Sequence, residues 1–384
     1  MADHRLDVRL RSARLRAGLS QAELASRAGV TRQAVSAIEG GKTVPTTPVA
    51  LRLARALELT VEELFQLIDE LPRVEAELLP TNASLASGQA PPPPEGSLRV
   101  RVASVGGRLL ARPLAGAGGV ALALPRANGL ARAAGPGGRA IVQLFASPAR
   151  LADTLVAVGC DPAVALLAEH LRQRHPGLDL AWQGGGSTAA LEALARGEAH
   201  LAGCHLLDPP SGEYNLPFVQ RLLGDRAELV TFAVWEQGFI VPAGNPRGIR
   251  TAGDLARPDV RLVNREVGTG ARALLDAQLA GAGLSQDRVN GYGGSVGSHL
   301  AVAEAVAAGL ADVGIGVRAA AQALGLGFVP LAEERYDLVI PRAFFELPPV
   351  QALFETLHSP LFRLEVEALG GYDVSRMGDI VRAA

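Results

Sequence analysis

Four short turns carry the residues best suited to chemistry: Gly159-Cys160-Asp161, Gly186-Ser187-Thr188, Gly268-Thr269-Gly270 and Gly297-Ser298-His299. Each follows an apolar run of strand type and precedes a run of helix type. The first N–H groups of a helix lack intrahelical partners and sit at the positive end of its dipole, so such turns favour an anion. Ser187, Thr188, Thr269 and Ser298 add hydroxyls, Gly270 a backbone N–H, and Arg265, just before Gly268, a positive charge. Taken singly, each hydroxyl is more commonly a plain helix cap. Arg265 has a second use, pairing with Glu266, and Asp161 would repel an anion unless it points away. His205 directly follows the apolar run HLAGC and is a further candidate, with Asp208 and Tyr214 after it. The expected ligand contacts are therefore Cys160, Asp161, Gly186, Ser187, Thr188, His205, Arg265, Gly268, Thr269, Gly270, Ser298 and His299. His200, Cys204, His205 and Asp208 are metal-ligand types. Strand alternation, however, puts His200 and Cys204 on one face and His205 on the other, in a spacing that matches no common zinc pattern. No metal or cofactor is expected. No GxSxG or Walker pattern is present and no triad is readable, so no enzyme is expected.

The elements that must hold these turns follow from residue 151 onward. LVAVG (155–159), LDLAW (178–182), HLAGC (200–204), VRLVN (260–264) and DVGIG (312–316) read as strands. Helices are predicted near 162–174, 187–196, 269–281 and 298–309. The stretches ELVTFAVW and GFIVP (228–242) are also of strand type. Strands alternating with helices imply right-handed βαβ units and a parallel sheet. In such sheets ligands sit beyond the carboxyl ends of the strands, where these turns lie. About 230 residues of this pattern are enough for two lobes facing one cleft.

The N-terminal segment has a different grammar. Ser20-Gln21-Ala22-Glu23 is a capping box opening a short helix, and Gly29 supplies its terminating turn. Thr31 caps a second helix running to Glu39, ended by Gly40-Gly41. Thr60-Val61-Glu62-Glu63 is another capping box, and its helix brings Leu64 and Phe65 to a core. Residues 1–55 hold ten cationic side chains against four anionic ones, a net of +6 in a chain whose net charge is -2. That asymmetry suits a phosphate backbone.

Composition fills in the rest. The chain has 384 residues, 48% hydrophobic and 20% charged, enough for two or three folded domains. Aromatics are only 4%, so the cores rest on Ala, Leu and Val. The prediction is a helical domain over 1–73, a Pro-rich linker over 74–97, a small β-rich connecting module over 98–150 with a hairpin turn at Gly106-Gly107, and the α/β domain over 151–384. Two distant cysteines, Cys160 and Cys204, read as reduced thiols. The first residues contain no secretory pattern and no apolar run is long enough to span a membrane. A cytoplasmic protein without membrane contact is expected.

Two resemblances sharpen this reading. LRAGLSQAELASRAGVTRQAVSAIEGGKTVPTTPVALRLARALELTVEELF resembles the Cro/cI-type (XRE) helix-turn-helix family. The resemblance implies a five-helix domain that binds double-stranded operator DNA as a homodimer, with Thr31–Glu39 in the major groove. Arg32, Gln33 and Ser36 would face base edges, Gln21 a phosphate, and Lys42 and Thr43 the backbone. The segments VGCDPAVALLAEHLRQRHPGLDLAW, GGGSTAALEALARGEAHLAGCHLLDPPSGEYNLPFV, VNREVGTGARALLD and SHLAVAEAVAAGLADVGIG resemble the periplasmic-binding-protein-like domains of molybdate-binding type. That resemblance implies a bilobed type II α/β domain, two crossover strands and a cleft closing on a small anionic or polar effector, with molybdate or tungstate foremost. Together they imply a ligand-responsive transcriptional regulator. Two alternatives stay open: a protein of molybdenum-cofactor metabolism, and a constitutive DNA-binding repressor whose C-terminal domain only oligomerises.

Overall fold

The computed structural model describes residues 6–67, 71–80, 98–114, 126–131 and 138–381. They divide into two compact units, residues 1–74 with 143–148, and residues 75–142 with 149–384. No helix among the described residues is long and apolar enough to cross a membrane.

Among the described residues, the first unit contains five short helices: α1 (Leu10–Arg16), α2 (Gln21–Ala28), α3 (Arg32–Glu39), α4 (Thr47–Ala56) and α5 (Val61–Leu64). Both expected capping boxes form. Ser20 Oγ accepts from the Glu23 N–H at 3.2 Å, and Glu23 Oε2 accepts from the Ser20 N–H at 2.7 Å. Thr60 and Glu63 repeat the arrangement. Gly29 takes the left-handed conformation, φ 63°, which ends α2 at little steric cost. Leu10, Leu24, Val35, Ile38, Leu53 and Leu64 fill the core. A two-stranded clip pairs Leu6–Val8 with Phe65–Leu67.

The second unit holds a closed five-stranded barrel and a ten-stranded sheet. The barrel strands are Arg73–Leu78, Leu98–Val105, Arg108–Pro113, Gly129–Ala131 and Arg139–Leu144. Its hairpin turns at Gly106-Gly107, both with positive φ, as a two-residue type I′ loop requires. The expected linker at 74–97 is corrected at its start: Arg73–Leu78 is a barrel strand, paired in parallel with Arg108–Pro113. Its alternation of charged and apolar residues, RVEAEL, is the strand signal; the Pro-rich run beyond it dominated the composition. Residues 81–97 of that linker lie outside the described residues.

In the large sheet Thr154–Gly159 is flanked by parallel neighbours Asp179–Gly184 and Leu201–Cys204. Leu262–Arg265 is likewise flanked by Ser295–Val296 and Val313–Val317. Each lobe thus has the order second, first, third strand, followed by a crossover strand. The crossovers are Ala227–Val241 and Gly327–Pro341, fifteen residues each, antiparallel along their length from Ala227↔Pro341 to Val241↔Gly327. The sheet is therefore mixed, not purely parallel, because the chain must leave the first lobe and return. The stretches 228–235 and 238–242 are one strand, bent by irregularities at Thr231/Ala233 and Gln237/Gly238. Barrel residues Leu79, Ala103, Val105 and Leu110 share a core with Val156, Leu191 and Val339 of the first lobe. The Arg101–Asp179 ion pair and an Arg108 bond to the Arg196 carbonyl, 3.1 Å, tie the same two bodies.

Candidate functional site

On α3, Val35 and Ile38 are buried while Arg32, Gln33 and Ser36 are exposed on the opposite face. The Thr31 hydroxyl accepts from the Ala34 N–H at 3.0 Å, fixing the helix start. Lys42 and Thr43 are exposed just beyond the helix. Gln21 opens α2 and donates one side-chain N–H to Glu39 at 2.8 Å. Glu39 also receives Arg14, at 2.6 Å and 3.1 Å, in a bidentate pair with side chains 3% and 8% exposed. Burial opposes ionisation of Glu39, but Arg14 and Gln21 outweigh it and hold its pKa below the usual range. Glu39 is thus a fixed brace between α1, α2 and α3.

In the second unit the four turns meet where the strands of both lobes end. The Thr188 N–H of the first lobe donates to the Gly268 carbonyl of the second at 3.4 Å. A Cβ at Gly186 would press on Thr269, and one at Gly270 would overlap the His205 carbonyl and ring. Glycine at these positions lets the lobes close. Both caps form: the Thr269 hydroxyl accepts from the Arg272 N–H at 3.3 Å and donates to the Glu266 carbonyl at 2.8 Å, and the Ser298 hydroxyl accepts from the Ala301 N–H at 3.0 Å and keeps its own hydrogen. Ser187, fully buried, accepts from the His205 N–H at 3.2 Å and retains its own hydrogen.

Inside this contact lies a buried polar cluster. Cys160 Sγ is 3.2 Å from His205 Nε2, and His205 Nδ1 is 2.7 Å from Glu334 Oε2. Gln237 Nε2 donates to Glu334 and stands 3.1 Å from His205 Nδ1. Trp235 stacks edge-on to His205 and His299 at centroid distances of 4.9 and 5.6 Å. Asp161 Oδ1 accepts from the Ala163 N–H at 2.8 Å and the Tyr372 hydroxyl at 2.7 Å. Six of these residues carry buried atoms with no hydrogen-bond partner among the described residues. They are Asp161 Oδ2, Trp235 Nε1, Gln237 Oε1, Tyr336 Oη, both ring nitrogens of His299, and all three side-chain nitrogens of Arg265. Buried polar groups are almost always paired, so such a concentration calls for a partner.

The charges are arranged to match. Burial lowers the basicity of His205, but Cys160 and Glu334 outweigh it and raise the pKa to about 10, so His205 and Glu334 form an ion pair. Burial, then Arg265 and His205, push His299 well down, leaving it neutral. Burial raises Asp161 to about 6 against its two donors. Arg265 is 0% exposed and its pKa is lowered by burial, with Cys160 and Glu266 opposing.

The family comparisons agree with this division of the chain. Residues 10–64 match the family described as helix-turn-helix, and residues 168–358 the PBP superfamily domain. The uncharacterized HTH-type transcriptional regulator YgzD of Bacillus subtilis is 40% identical over 62 residues, 16% of this chain and 94% of its own length. The chain belongs to the XRE-type helix-turn-helix regulators. This regulator is also 37% identical over 197 residues to the uncharacterized protein YvgK of Bacillus subtilis, covering 51% of this chain. The match spans 63% of YvgK. Among solved structures, the sulfate-binding protein SubI of Mycobacterium tuberculosis H37Rv aligns with a TM-score of 0.43 at 18% identity, over 57% of this chain and 86% of that one.

Of the sequence candidates, the regulator brings Cys160, Asp161, Ser187, His205, Arg265 and His299 into the buried cluster, with Gly186, Thr188, Gly268, Thr269 and Gly270 at the lobe contact beside it. The four metal-type residues first singled out do not converge. His200 accepts from the Val156 N–H at 2.9 Å, its pKa lowered to about 4 by burial, and Asp208 faces Arg221 at 3.6 Å. Trp235, Gln237, Glu334 and Tyr336 were missed because they lie on the crossovers rather than at strand ends. A glutamine inside the buried run FAVWEQGFIV was the available signal.

Proposed function

We propose that this regulator binds operator DNA as a homodimer through α3 and senses a small anion enclosed between the lobes of its C-terminal domain. Arg265 carries the ligand half of the proposal. A fully buried guanidinium whose nitrogens have no partner among the described residues is costly alone and becomes favourable when an anion neutralises it. Trp235 Nε1 and Tyr336 Oη add neutral donors. Asp161, raised to about 6, is mostly ionised at neutral pH and becomes a donor only below that value. Molybdate and tungstate, tetrahedral and unprotonated at neutral pH, match a set of buried donors gathered around a guanidinium. Gln237, whose Nε2 donates to Glu334, presents Oε1 as an acceptor that such an anion must stand clear of.

For DNA, the exposed row Arg32, Gln33 and Ser36 supports base contacts from the start of α3. A two-fold dimer would place half-sites roughly 34–36 Å apart. Effector binding acts on operator affinity only through its different affinities for the two states of the protein.

The test is a thermal-unfolding screen of the full chain with molybdate, tungstate, sulfate, phosphate and small organic acids, alongside Arg265→Met. At a hundredfold excess over Kd, a ligand should stabilise the protein by about 2.7 kcal/mol. The expected result is a shift with one anion class, absent in Arg265→Met, accompanied by a change in operator affinity. The absence of a shift with every anion, or an equal shift in the variant, overturns the reading.

A further inference from the structure

We propose that Cys160, His205 and His299 form a binding site for a thiophilic closed-shell metal ion, zinc(II) or copper(I), that fastens the two lobes together. The three residues come from separate places in the fold. Cys160 and His205 follow two neighbouring strands of the first lobe, whereas His299 begins a helix of the second. Their ligand atoms lie within 4.8 Å of one another, and all three residues are buried. Thiolate sulfur and neutral imidazole nitrogen are the donors that such ions select.

The geometry fits more closely than residue type alone requires. Metal–sulfur and metal–nitrogen bonds of ordinary length at a tetrahedral angle separate sulfur and nitrogen by roughly 3.5 Å. Cys160 Sγ and His205 Nε2 stand 3.2 Å apart, so an ion replaces the proton they share with a small displacement. The opposite nitrogen of His205 is held by Glu334 at 2.7 Å. A carboxylate on the far side of the ring is the usual support of a metal-bound histidine, fixing tautomer and orientation. Gln237 braces the same carboxylate. His299 has no hydrogen-bond partner among the described residues on either nitrogen, so a ligand atom is free whichever way the ring turns.

Arg265 does not forbid a cation here. The Cys160 thiolate and the Glu334 carboxylate offset zinc and the guanidinium to a single excess positive charge, or copper(I) and the guanidinium completely. Three protein ligands leave a coordination position open. The inference goes beyond the anion reading and does not depend on it.

The experiment titrates the full-length protein, without added anion, with zinc(II) alone and copper(I) alone against chromogenic chelators. Cobalt(II) serves as the spectroscopic probe, since thiolate ligation gives a sulfur-to-cobalt charge-transfer band. One ion per chain is expected, and the tighter arm identifies it. Cys160→Ser should abolish the band, whereas Cys204→Ser should keep it. Glu334→Gln should weaken affinity about 10–100-fold. Should Cys160→Ser fail to fold, His299→Gln provides the same loss of affinity from the other lobe. Arg265→Met should lose the anion response and keep the metal, which separates failure of one reading from failure of the other. Uptake unchanged in Cys160→Ser or His299→Gln, or no competition with either chelator, overturns the proposal.

Discussion

Replacing Arg265 by methionine should stabilise the protein while removing its response to an anion. The side chain is 0% exposed and its three nitrogens have no partner among the described residues. Desolvating a charge costs several kcal/mol, and replacing buried ionic groups by apolar ones of similar volume stabilises by about 1–4 kcal/mol. Cys160 and Glu266 act against the loss of charge at Arg265, so the lower part of that range, about 1–3 kcal/mol, applies. In a domain of this size each kcal/mol moves Tm by roughly 2–4 °C. Wild type in a hundredfold excess of anion gains about 2.7 kcal/mol, and the variant gains nothing. The free variant and the liganded wild type should therefore be of similar stability, with the free wild type clearly below both. Urea denaturation followed by fluorescence of Trp235, one of two tryptophans, reads all four states. A variant that unfolds more readily than free wild type and still responds to anion would refute the argument, because the guanidinium would then have a partner within the fold.

Asp161→Asn tests the same pocket through pH. Burial raises the folded pKa from 3.8 to about 6, which corresponds to roughly 3 kcal/mol. The folded state then holds the proton more tightly than the unfolded chain. This contribution is fully present below pH 3.8 and is lost as pH rises through 6. Stability of the wild type relative to Asp161→Asn should fall between pH 4 and 6 and level off above; a constant difference in denaturation midpoints would count against it. Gly270→Ala places a methyl group against the His205 carbonyl. A loss of about 1–3 kcal/mol and a weaker effector response are expected, and unchanged thermal unfolding would show that the lobes do not close there. Glu39→Ala should cost the helical unit about 2–3 kcal/mol, because Arg14 and Gln21 lose their shared acceptor. Circular dichroism melting of the full chain checks it, and a change under 0.5 kcal/mol, on the order of an ordinary surface substitution, would refute the bracing role.

Local chemistry was legible in the sequence where one short segment carried both signal and answer. Ser20 with Glu23, Thr60 with Glu63, and Gly29 each fixed a helix boundary through contacts a few residues apart. The strand-to-helix turns were equally local, and their convergence followed from the rule that ligands gather at carboxyl ends. Thr269 and Ser298 are local in the same way, each capping its own helix as its position before a helical run foretells. Arg73–Leu78 was hidden because its partner, Arg108–Pro113, lies thirty residues away beyond a proline run. Glu334 and Gln237 were hidden for a related reason. Their value comes from standing beside His205, 129 and 32 residues away along the chain, and no periodicity records that.

The barrel's attachment has a mechanical consequence. It shares its apolar interior with the first lobe and is pinned there by Arg101 and Arg108. The chain passes to the second lobe and back through the paired crossovers, whose ladder is irregular at Thr231/Ala233 and Gln237/Gly238. Under the proposed effector response, barrel and first lobe should therefore act as a stator and the second lobe as the rotor. A label pair spanning barrel and first lobe should keep its separation whatever is bound, while a pair spanning barrel and second lobe should report every stroke.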